Sequence, residues 1–138
     1  MSAPTIRPDK IRLAQAAIIT HTVVGFLHSA AHQMLGVQAS PAQLVFIITV
    51  IMVAPLVAGI LLWKRLKTEG AGLLIVSMAG SLIFGVFNHF VSLSPDHVSQ
   101  VAALPQKNWA LVFQLTAALL ALVEMFGIWA GILVLRKV

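Results

Sequence analysis

Cysteine is absent from this chain, which removes disulfides, thiolate metal sites, iron–sulfur clusters and cysteine nucleophiles together. Tyrosine is absent too, so the polar-tipped aromatics left to mark membrane boundaries are tryptophans. Charge is scarce: nine Lys or Arg and four Asp or Glu make up only 9% of 138 residues, whereas 59% are hydrophobic. A water-soluble domain of this size has too much surface for its volume to hide so many apolar side chains. Its solvent is therefore expected to be a lipid bilayer. The shortage of acids leaves a net charge of +5, but the cations stand in short clusters beside apolar runs, the pattern that orients membrane proteins rather than one that binds nucleic acid. Nucleic acid is not expected as a partner, and no phosphate loop or serine triad is present.

Residues 1–10, with Pro4 and Pro8, read as a short polar leader. Four apolar spans follow, at about 11–36, 41–63, 70–93 and 108–135, each long enough to cross ~30 Å of hydrocarbon. Three histidines in the first span argue against a cleaved signal peptide. Ser40-Pro41 is a capped helix start, and Pro55 should kink the second span or loosen one turn. Ser94-Pro95-Asp96-His97 has the same start signature and predicts a short interfacial helix over about 95–104, with Ser94 as its cap. Cations cluster before span one, at Lys64-Arg65-Leu66-Lys67 between spans two and three, and at Arg136-Lys137. By the positive-inside rule both termini are cytoplasmic, and the Ser40 turn and the 94–107 loop lie outside. The fold class expected is all-α: a single-domain, multi-pass, four-helix transmembrane bundle in a bacterial-type inner membrane.

The chemistry is concentrated in the first span. His21, Gly25, His28 and His32 fall within roughly 60° of one another on a helix, opposite a face bearing Ile19, Val23, Phe26 and Ala30. At ~1.5 Å rise per residue, His21 and Glu124 lie at similar depth in the membrane, and His28 and His32 share an outer level with His89. Glu124 is the one acid inside a span, on a face with Ala117, Ala121, Gly127 and Gly131 that invites close helix packing. A carboxylate at that depth must be neutral or paired, and His21 is the candidate partner. On the third span, Ser81, Gly85, Asn88 and Ser92 form an inward stripe with His89 on its edge.

His28, His32 and His89 are candidate ligands for a cofactor, either a transition metal or haem b, and His97 in the nearby loop is a fourth candidate metal ligand. Against this stands the plainer possibility that the imidazoles only hydrogen-bond between helices. Scattered methionines (Met34, Met52, Met78, Met125) read as core filler, and the glycines Gly25, Gly85, Gly127 and Gly131 as packing surfaces. In size and four-span layout the chain resembles the small DoxX-type bacterial membrane proteins, some of which are linked to quinone or thiol oxidation; the resemblance implies a four-helix membrane bundle and carries no site residue. A bis-histidine haem bundle of the cytochrome b561 kind is a second likeness, and only His28 or His32 paired with His89 meets its requirement. Three functions follow as expectations: a histidine-lined cavity binding a metal or haem for redox or ion handling, a non-catalytic scaffold in a homo-oligomer or larger membrane complex, or proton-coupled transport through His21 and Glu124. The sequence leaves catalysis open.

Overall fold

The computed structural model describes residues 8–136, so residues 1–7 of the expected leader and Lys137 lie outside it. Among the described residues four helices are long and apolar enough to span a bilayer: α1 (Pro8–Leu35), α2 (Pro41–Trp63), α3 (Lys67–Val91) and, after the short α4 (Val98–Ala103), α5 (Lys107–Leu135). The shortest has 23 residues, or roughly 34 Å of helix, which exceeds the ~30 Å hydrocarbon core. Around the bundle the order is α1, α5, α3, α2, with close packing between each of these neighbours. Contact between α1 and α2 is light, so the ring of helices is open along that seam.

Helix ends follow local chemistry. Helix α1 already includes Pro8, Asp9 and Lys10, residues expected in the polar leader. At its other end Gly36 turns left-handed (φ 68°), with Val37 N–H bonded to His32 C=O and Gly36 N–H to Gln33 C=O. This is the Schellman closure, which glycine adopts without Cβ strain. Ser40 caps α2 in a reciprocal capping box with Gln43. Further along α2, Pro55 has no N–H to offer, and the preceding stretch Ile47–Val53 widens into a π-helix that ends with Ala54 N–H bonded to Thr49 C=O. The 94–97 segment departs from expectation. Ser94 makes a turn, accepting from His97 N–H through its carbonyl, and His97 itself caps α4 by accepting from Ser99 N–H.

Packing is tight at the two ends of the bundle. At the end bearing Lys10, Lys64 and Arg136, Ala14, Ile18, Leu62, Leu74 and Met78 form a buried apolar cluster. The approach of α3 to α5 there requires glycine: a Cβ at Gly127 would stand 3.0 Å from Met78 Cγ, and one at Gly131 only 2.7 Å from Ile75 Cγ1. At the other end α4 folds over the bundle, with Val101 buried against Ala31, Leu35, Ala110 and Phe113. Between these two plugs lies a cavity of about 320 Å³. Large apolar side chains on the outer surface, such as Ile19, Val23 and Phe26 on α1, are exposed, as lipid-facing residues are.

Candidate metal centre

His28, His32 and His89 meet at the α4 end of the cavity. The first two are one turn apart on α1 and so share a face. His89 arrives from α3 by a device absent from the periodicity. The last turn of α3, Phe87–Val91, is a π-helix closed by Ser92 N–H on Phe87 C=O at 2.7 Å. An i→i+5 turn takes in one residue more than an α turn, which rotates His89 from the edge of its stripe to the interior, where it is 7% exposed. Asn88 and Ser92 are correspondingly only half-buried. Asn88 accepts from Gln43 Nε2 and clamps α3 to α2, while Gln114, also expected at this level, donates to Val98 C=O and ties α5 to α4.

His28 Nε2 lies 3.2 Å from His89 Nε2 and 3.2 Å from His32 Nε2, and one ligand nitrogen from each of the three rings lies within 4.8 Å of the others. The opposite nitrogens are all engaged. His32 Nδ1 is 3.1 Å from Val37 C=O and His89 Nδ1 is 3.1 Å from Asp96 C=O. Carbonyls only accept, so both Nδ1 atoms carry hydrogen. His28 Nδ1 is 2.8 Å from Thr116 Oγ1, whose own hydrogen goes to the carbonyls of Val112 and Phe113. It too must donate. In the neutral rings every Nε2 is then a bare lone pair, and three lone pairs point at one another. A cation between them, or a hydrogen on one Nε2 shared with its neighbour, relieves that arrangement.

Two further groups complete the surroundings. Asp96 sets Oδ1 3.4 Å from His32 Nε2 and Oδ2 3.4 Å from His89 Nδ1. Its Oδ1 is buried and has no hydrogen-bond partner among the described residues. Phe113 packs against all three imidazoles, with ring centroids 4.7–5.1 Å away. His97, the expected fourth ligand, bonds to Ser99 and stands apart from the cluster. Its neighbour Asp96 lies beside the cluster instead, a placement hidden in the sequence because the segment read as the first turn of a helix. His28 and His89 approach edge to face at 4.9 Å with Nε2 atoms 3.2 Å apart, whereas axial ligands stand on opposite faces of a porphyrin.

At the far end of the cavity His21 Nε2 lies 3.3 Å from Glu124 Oε1, and Ser81 donates a very short hydrogen bond to the same oxygen. All three residues are buried, His21 and Glu124 being 2% and 3% exposed. The shared depth of His21 and Glu124 is therefore contact, and Ser81 is a third member. Of the four glycines read as packing surfaces, Gly127 and Gly131 pack α5 on α3, but Gly25 and Gly85 line the cavity. A Cβ at Gly25 would meet nothing within 4 Å. The chain matches no known protein family, no curated protein and no solved structure.

Proposed function

We propose that this is a multi-pass membrane protein that binds a divalent first-row transition metal through Nε2 of His28, His32 and His89, with Asp96 as a fourth ligand or as the base beside an exchangeable one. The observation that carries this reading is that Nδ1 of each ring is held by an outer partner while Nε2 of His28 lies 3.2 Å from Nε2 of both His32 and His89 at the cavity wall. A tetrahedral ion with ~2.0–2.1 Å bonds to nitrogen sets neighbouring nitrogens roughly 3.3–3.4 Å apart, close to the 3.2 Å of the two pairs that His28 makes, with all three ligand nitrogens within 4.8 Å. Imidazole and carboxylate without sulfur suit zinc, manganese or iron better than cuprous copper. Backbone carbonyls and a threonine hydroxyl holding the ring N–H groups are the outer partners that metal-bound histidines use. Orientation belongs to the same reading: with both termini cytoplasmic in a bacterial-type inner membrane, the metal faces the outer side.

Protein purified in detergent and dialysed against Zn²⁺ or Co²⁺ should retain one ion per chain, and the cobalt form should show the visible bands of a tetrahedral site. Alanine at His28, His32 or His89 should each abolish retention, and combining two should add little because the ligands act as one unit. No Soret absorption should accompany the bound metal. Retention of metal by the triple alanine variant, or none by the unaltered protein, rules the site out. A second reading, proton movement, is supported by the His21–Glu124 contact and predicts pH-driven flux in vesicles that Glu124→Gln abolishes.

A further inference from the structure

The cavity has a second polar end that the metal reading does not use. Its base is His21, Glu124 and Ser81, and its middle is apolar, with Ile47, Ile51, Met52 and Leu120 among the walls. It opens sideways through the seam between α1 and α2: lining residues Phe26, Leu44 and Leu56 are 60%, 47% and 46% exposed on what is the lipid face of the bundle. Gly25 and Gly85 leave the walls bare where larger residues would fill the space. At about 320 Å³ the volume falls at the lower end of the ~300–1,000 Å³ typical of small-molecule sites.

The hydrogen bonds at the base specify the head of a ligand. Ser81 gives its one hydrogen to Glu124 Oε1, and Nε2 of His21 shares a hydrogen bond with the same oxygen at 3.3 Å. With the shared hydrogen on Nε2 of a neutral ring, the atoms left over, Nδ1 of His21 and Oε2 of Glu124, are two acceptors on buried side chains that line the cavity. Acceptors call for a donor. No lysine or arginine among the described residues lines the cavity, so nothing there balances a phosphate or carboxylate head. From this we infer that the cavity binds a neutral, membrane-dissolved molecule carrying a hydroxyl group on an aliphatic chain, which enters from the bilayer between α1 and α2 and donates its O–H to His21 and Glu124. The inference concerns the base and the seam, and stands independently of the metal.

The test is photolabelling of the purified, metal-loaded protein with a ten-carbon primary alcohol bearing a mid-chain diazirine. Adducts should concentrate in 22–26 and 44–56, decanol should compete, and decane or decyl phosphate should not. Gly25→Leu, which fills the wall without touching a metal ligand, should cut labelling at least tenfold with metal content unchanged. Glu124→Gln should weaken competition by decanol about tenfold, and chelation of the metal should leave labelling in place. Adducts spread evenly over the lipid-facing surface, or decane competing as well as decanol, overturn the site. Decylamine outcompeting decanol overturns the hydroxyl assignment. The competition series uses unaltered protein, so it decides the matter even if a variant fails to fold.

Discussion

Thr116 has one hydrogen and spends it on the carbonyls of its own helix, at 2.7 Å to Val112 and 3.0 Å to Phe113. With its hydrogen there, Thr116 accepts from Nδ1 of His28, which puts the lone pair of that ring on Nε2. Valine has the same shape but cannot accept from Nδ1–H, so Thr116→Val should keep the fold and lower metal affinity about 10–100-fold, as loss of an outer partner does elsewhere. Titration with a competing chelator measures it, and unchanged affinity would mean that His28 is oriented by packing alone. His21 and Glu124 lead to a different expectation, since each is buried with the other as its main partner. Removing one should destabilise by about 1–3 kcal/mol through the buried hydrogen-bonding group left behind, whereas removing both should cost less, because neither is then left unpaired. A double-mutant cycle with Glu124→Gln and His21→Ala, read as melting temperature in detergent, should show strong coupling; additivity would mean that the 3.3 Å contact carries no energy.

Helices differ in how much of their geometry the residues announce. The stripe on α1, the capping at Ser40 and the loosened turn before Pro55 are all legible, because each rests on a period or on a residue with one strong local preference. The π turn at Phe87–Val91 is not. It contains no proline or glycine, and only the tertiary need to bring His89 inward accounts for it. Asp96 was hidden for a related reason: Ser-Pro-Asp-His is as good a helix start as a turn, and the folding of α4 over the bundle decides between them. Deleting Phe90, which is 41% exposed, should restore an α turn, leave the bundle folded and abolish metal retention. Glycines divide along the same line, since composition gives no hint of which ones face space. Gly131→Ala should cost about 1–3 kcal/mol through the clash with Ile75 and Ala71. Gly25→Ala, facing open cavity in mid-helix, should stabilise by up to ~1 kcal/mol. Thermal unfolding of the two variants should move in opposite directions, and a shared loss would show that Gly25 is also a packing position.

For the whole molecule the decisive question is which side of the membrane reaches the metal. Lys10, Arg12, Lys64, Arg65, Lys67 and Arg136 belong to one end of the bundle, where Lys10 also bonds to the carbonyl of Arg136 and so joins the start of α1 to the end of α5. The end that holds the histidine cluster has Lys107, which is engaged with Ala102 C=O. An imbalance of this size in short connections directs the cationic end to the cytoplasm during insertion. In the proposed orientation the histidine cluster opens to the outside, while His21 and Glu124 sit deeper, seven residues or roughly 10 Å along α1 from His28. A metal taken up from the outer side and a ligand taken up from the bilayer would thus reach one cavity by separate routes. Because the chain has no cysteine, single-cysteine variants report this directly. Ser99 and Thr68 are exposed at opposite ends, so Ser99→Cys should react with an impermeant maleimide in intact cells and Thr68→Cys only after lysis. The reverse pattern would put the histidine cluster on the cytoplasmic side and make the cytosol the source of its metal.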